Sequence, residues 1–138
     1  MKKITQVWLM MIFFTSAGST SAENNNIANS TQCQKLIHSV EVMDCLMDTS
    51  GELKIEYNHS FDEFIKKINA PDKKPYDRAQ LTQKVRKAKN GWDLYLKNEC
   101  EAEALVYEKD SVGYLTTYHE CLSVKLRDRI SYYKNNQY

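Results

Sequence analysis

Glycine and proline are scarce in this 138-residue chain, with four and two copies respectively. That scarcity argues against a turn-rich sandwich or barrel, which needs punctuation every 8–12 residues or so. Period-two alternation of apolar and polar residues is missing throughout, so strands are not expected. There is no Gly-rich phosphate loop, no His-Glu-x-x-His helix and no Gly-x-Ser-x-Gly elbow, and the common scaffolds for nucleotide, metal and acyl-transfer chemistry are therefore missing. No Cys-x2-Cys pair is present either, which removes the usual zinc spacing. The histidine at 119, two residues before Cys121, is a weak metal hint beside that. The basic stretch carries no stacking motif and belongs to a chain that reads as exported, so nucleic acid is not an expected partner.

At the N-terminus, Lys2 and Lys3 precede an apolar run from Val7 to Phe14, and small residues end at Thr20-Ser21-Ala22. This order matches a secretory signal with cleavage after Ala22, the alternative being an uncleaved anchor. The run is too short to span a bilayer, and no later stretch of about 18 apolar residues exists, so no membrane anchor is expected. The reading divides the chain into a signal peptide at 1–22, an Asn-rich flexible leader at 23–30, one domain at 31–134 and a short tail at 135–138. Removing the signal leaves about 116 residues, enough for one core but few enough for cross-links to matter.

Four cysteines, Cys33, Cys45, Cys100 and Cys121, all follow the signal. In an oxidising compartment an even set is read as disulfides, with three possible connectivities. If Cys33 and Cys45 lay on one helix, their Cα atoms would be about 18 Å apart, far beyond disulfide reach. A break between them is required, and Ser39 with Glu41 close behind can start a helix that carries Cys45. The favoured pairing is Cys33 with Cys45 and Cys100 with Cys121.

Apolar residues recur at helical spacing in three blocks. The first runs through Val42, Cys45, Leu46, Leu53, Tyr57, Phe61, Phe64, Ile65 and Ile68, with Gly51 positioned to bend or split it. Both prolines fall between Asn69 and Pro75, ending that helix. The second block spans Tyr76 to about Glu99 through Leu81, Val85, Ala88, Trp92 and Leu96, and a connector from about Ala102 to Gly113 leads to the third, through Leu115, Tyr118, Leu122, Leu126, Arg129 and Tyr133. The expected fold is all-α, a small antiparallel bundle of three to four helices stapled by two disulfides near its ends.

Charge is segregated along the chain. Between Val40 and Glu63 stand seven acids against Lys54, and between Lys66 and Lys89 nine bases against Asp72 and Asp77. Either neighbouring helices attract one another through these faces, or the polarity steers a charged partner.

Cys33 and Cys45, Leu53 with Tyr57, Trp92-x2-Tyr95-x4-Cys100, and Cys121-x7-Arg129 form a spaced set over nearly all of the domain. In these positions the chain resembles the LprI-like lysozyme-inhibitor domain of bacterial envelope proteins. It departs from that pattern at Ser50, Lys54 and Lys89. The resemblance implies a helical, disulfide-bonded protein of the periplasm or exterior, of which some relatives inhibit lysozyme. The lipid anchor of the family's namesake does not carry over, because no cysteine stands at the cleavage point. The shared residues Tyr57, Trp92, Tyr95 and Arg129 are expected to be framework, with Trp92 and Tyr95 packing on the second bridge and Arg129 capping a helix or pairing with an acid.

These features point to a binding protein rather than an enzyme, with no cofactor. The expected partner is lysozyme or another peptidoglycan hydrolase whose cleft the protein occludes. Alternatives are an immunity protein against a wall-degrading toxin and a non-inhibitory envelope protein, as monomer or homodimer. Because animal-type lysozymes are cationic, the candidate partner contacts are acids, either those of the first helix or those around the connector, Glu99, Glu101, Glu103, Glu108 and Asp110. The loops expected to reach a cleft are Asp110 to Tyr114, with Asp110, Ser111 and Tyr114, and Asp72 to Tyr76, with Lys73 and Lys74.

Overall fold

The computed structural model describes residues 32–71 and 76–136. The segments expected to be signal and leader, the end of the tail, Lys73 and Lys74 lie outside the described residues. Three long helices carry the fold: α1 (Ser39–Ile68), α2 (Arg78–Ala104) and α3 (Val112–Asn135). They run up, down and up, so that α1 and α3 are parallel and α2 opposes both. Ser50 meets His119 near the start of α1 and α3, whereas Glu56 and Phe64 meet the end of α3 at Lys134 and Tyr133.

Helix α1 continues through Gly51, so the first block does not split. The glycine faces solvent, and a Cβ there would meet nothing within 4 Å. Its conformational freedom is overridden by the buried stripe on either side, Leu46, Leu53, Tyr57, Phe61, Phe64 and Ile68. Ser39 is the first helical residue instead of the cap; His38 holds the cap position and makes no side-chain capping bond. Helix α2 begins on a capped turn, with Asp77 accepting from the Gln80 amide at 3.0 Å. It runs one turn beyond Glu99, which shortens the α2–α3 connector to residues 105–111.

Helix α3 lies between the other two. It packs most extensively on α1 and next on α2, while the backbones of α1 and α2 stay farther apart and these two helices meet through side chains. A helix with neighbours on two sides cannot show a single clean apolar stripe. Accordingly α3 buries Tyr114, Cys121, Ser123, Leu126, Ile130 and Tyr133, and leaves most other positions half-buried. Ser123 is tolerated at 0 % exposure because its hydroxyl donates to the His119 carbonyl one turn back, at 2.8 Å.

The centre of the core is aromatic. Tyr133, 1 % exposed, has its ring centroid 5.3 Å from those of Phe61 and Phe64 and 5.7 Å from that of Tyr57. Around it the cations lie on ring faces. Lys89 Nζ sits 4.6 Å from the Tyr57 centroid, and the Arg129 guanidinium 4.5 Å from Tyr132, 5.1 Å from Tyr133 and 5.5 Å from Trp92. Arg129 therefore neither caps a helix nor pairs with an acid in these contacts; its role is to cover the aromatic core. Trp92 packs on Tyr57 at 5.1 Å, about two helical turns from Cys100, and not on the bridge. Tyr95 points outward, 53 % exposed, where hydrogen bonding to Glu99 raises its hydroxyl above the ordinary range.

Candidate functional site

Both cross-links form at one end of the bundle, with the favoured connectivity: Cys33–Cys45 and Cys100–Cys121, at Cα separations of 5.6 and 5.5 Å. The first holds a short N-terminal turn against α1, where Cys33 is fully buried with Sγ 3.7 Å from Thr49 Oγ1. Gln34 ties the same turn to α3 by donating to Glu120 at 2.9 Å. The second bridge joins α2 to α3 just inside their connecting loop.

That loop is set by several local devices. Tyr107 N donates to Ala104 O at 3.0 Å and Ser111 N to Glu108 O at 3.1 Å, making two consecutive turns. Asp110 takes the left-handed conformation, φ 63°, which aspartate tolerates better than most residues. Ser111 caps α3 by accepting from the Tyr114 amide at 3.2 Å. Gly113 provides a seat for the Tyr107 ring: a Cβ there would stand 2.8 Å from Tyr107 Cδ1. Asp110, Ser111 and Tyr114 thus build and start the helix, and Tyr114 is buried.

Beside the exposed Glu108, Lys109 and Asp110, the loop exposes an apolar run. Leu105, Val106 and Tyr107 are 64 %, 78 % and 51 % exposed, and at the same end the N-terminal segment offers Ile37 at 92 % and the first turn of α1 offers Val40 at 51 %. Sequence reasoning chose the polar half of this loop and missed the Leu-Val-Tyr run beside it. The available signal was three successive apolar residues in a connector, which no helical or strand period explains.

The same end is acidic. Cutting the bundle at the Cys100–Cys121 bridge and the Ser50–His119 contact leaves residues 32–52 and 101–120 on one side with a formal charge of −7, and the other described residues with +6. The segregation along the sequence is therefore an axial polarity in three dimensions. Attraction between the acidic and basic segments is not what builds the fold: α1 and α2 meet through the Tyr57 and Trp92 rings and the Tyr57–Asp93 hydrogen bond, and none of the ion pairs found between described residues joins these two helices. Interhelical ion pairs join α3 to its neighbours: Lys134 to Glu56 at 2.6 Å, and Lys125 to Glu99 at 3.1 Å and Glu103 at 4.0 Å. Such half-exposed pairs contribute little beyond orientation.

Behind the apolar end, His119 Nδ1 lies 2.7 Å from Ser50 Oγ. This is a serine–histidine contact without a nucleophile's geometry. Ser50 is 4 % exposed and its hydroxyl donates to Met47 O at 3.0 Å, so Nδ1 carries the proton and donates to Oγ. Cys121 is consumed in its bridge, so the histidine and this cysteine do not form a metal pair. Burial lowers the His119 pKa below the ordinary imidazole value. Between the folded value and about 6.5, the unfolded chain binds a proton that the folded protein refuses. Stability is complete above about pH 6.5 and is lost progressively as the pH falls through the folded value. We expect the urea midpoint to drop between about pH 7.5 and 5.5, and His119→Gln to flatten that change; an equal drop in the variant would assign it elsewhere.

Comparisons of the chain with family models, with curated proteins and with solved structures return no match. Among the described residues no helix is long and apolar enough to cross a membrane.

Proposed function

We propose that this is an exported binding protein of the periplasm or exterior, which inhibits a cationic peptidoglycan hydrolase by seating its disulfide-stapled end over the enzyme's cleft. The observation that carries the reading is the coincidence of exposed Leu105, Val106 and Tyr107 with a −7 surround at the end where both bridges sit. An apolar cluster rimmed by one sign of charge is the composition of a docking site, where apolar contact supplies affinity and charge speeds encounter. Pairing this end with its copy in a symmetric dimer would set −7 against −7, which disfavours self-association there. A basic partner relieves the same repulsion. The resemblance to LprI-like inhibitors adds the enzyme class, because lysozyme-type enzymes hold two carboxylates in a cleft that a protruding loop can block.

The reading is tested by adding the purified mature protein to a turbidity assay with a cationic lysozyme. Lysis should slow as the protein approaches equimolar amounts and recover when salt screens the charges. Unchanged lysis at large molar excess would remove lysozyme as the target. Capture of a wall amidase in place of lysozyme from envelope extracts would move the reading to an immunity protein.

A further inference from the structure

From the groove between α1 and α2, we infer a second binding site, for a small carboxylate-bearing sugar, at the basic end and independent of the hydrolase reading. Because α3 separates them, α1 and α2 diverge, and α2 buries no residue fully before Leu96. The gap is a groove of about 460 Å³ lined by Asn58, Phe61 and Asp62 of α1 and by Arg86, Lys89 and Asn90 of α2. That volume falls within the ordinary range of small-molecule sites, about 300–1,000 Å³.

The lining selects a chemistry. Phe61 is 4 % exposed and lies under the Lys89 ammonium, 5.5 Å from its centroid, so the groove offers no open apolar wall and does not suit a greasy ligand. Lys89 is fixed in place by donating to Asp93 at 2.8 Å, and Asp93 also accepts from the Tyr57 hydroxyl at 2.6 Å. Arg86, Asn58 and Asn90 make no hydrogen bond or ion pair with other described residues, which leaves a guanidinium and two carboxamides available to a ligand. A guanidinium fork matches a carboxylate bidentately, while carboxamides and the Asp62 carboxylate pair with neighbouring hydroxyls. The charges that face the groove are Arg86, Lys89 with its Asp93 partner, and Asp62. These charges balance within the groove, with Lys89 neutralised by Asp93, so the preference for a carboxylate rests on the unpaired Arg86 guanidinium, and Asp62 is left to the hydroxyls.

The test uses a matched pair, D-glucuronate and D-glucose, which differ in the carboxylate, titrated into the full mature protein with detection by side-chain amide and guanidinium NMR. Glucuronate should shift the Asn58, Asn90 and Arg86 signals saturably and bind at least about tenfold tighter than glucose, the size expected of a charged hydrogen bond. Arg86→Ala should bring glucuronate down to the level of glucose with the thermal midpoint unchanged, since Arg86 is exposed and unpaired. No saturable shift at tens of millimolar, equal binding of both sugars, or undiminished binding by Arg86→Ala would each overturn the assignment.

Discussion

Tyr133→Ala is expected to destabilise the protein by about 3–5 kcal/mol, a large share of the roughly 5–15 kcal/mol that holds an ordinary domain folded. The ring is 1 % exposed and touches Tyr57, Phe61 and Phe64 of α1 while sharing the Arg129 guanidinium with Trp92 of α2. It is the point where the central helix holds both neighbours. Removing it leaves a cavity that rigid flanking rings cannot collapse to fill, and strips one face from a half-buried cation. Chemical denaturation read by circular dichroism should show the midpoint falling sharply at an unchanged m-value. A loss below about 1 kcal/mol would mean that α1 and α3 are held elsewhere.

Removing the second bridge should be nearly as costly. Cys100 and Cys121 close a 21-residue separation, and the unfolded chain freed by Cys100→Ala with Cys121→Ala gains conformational freedom corresponding to about 3 kcal/mol. Both sulfurs are buried, 0 % and 6 % exposed, so alanine adds a small packing loss in the same direction. The expected fall in Tm is on the order of 10–20 °C. The effect should be local in kind as well as global, because the bridge anchors the base of the 105–111 loop. Amide exchange of that loop should quicken more than that of the α1–α3 contact near Tyr133. Uniform quickening would show that the bridge stabilises without organising the loop.

Much of this architecture is legible before any coordinates. The helical spacing of Leu53, Tyr57, Phe61, Phe64 and Ile68 has one solution, and the twelve-residue gap between Cys33 and Cys45 demands a break that the N-terminal turn supplies. What periodicity does not reveal is which helix lies in the middle. Ile130 falls outside a single-stripe reading of the third block, yet it is 3 % exposed, because α3 has two buried sides. The same ignorance misplaces Trp92 and Tyr95: three residues apart on one helix, they diverge in environment once α3 covers the Trp92 side and leaves Tyr95 to Glu99 and solvent. Charge segregation is visible in the sequence, but its meaning depends on chain direction. The acidic start of α1 and the acidic end of α2 reach the same end because the helices run oppositely.

The candidate surface divides in a similar way. Asp110, Ser111 and Tyr114 stand out in sequence because polar turn residues and an aromatic near a glycine look like a presented loop. In the structure Ser111 caps α3 and Tyr114 is buried, while Asp110 serves the turn through its left-handed backbone and keeps an exposed side chain. Structural duties of this kind are what aspartate and serine most often perform beside a helix start. The apolar residues exposed for a partner are Leu105, Val106 and Tyr107, earlier in the same loop.

The most direct measurement of the central claim is the turbidity assay run in parallel with wild-type protein and with Leu105→Asp, Val106→Asp. Both side chains are exposed, so the double variant should unfold at nearly the wild-type temperature. The account predicts that wild type slows a cationic lysozyme and that the folded variant does not. Equal inhibition by both proteins would contradict the placement of the docking surface at the stapled end.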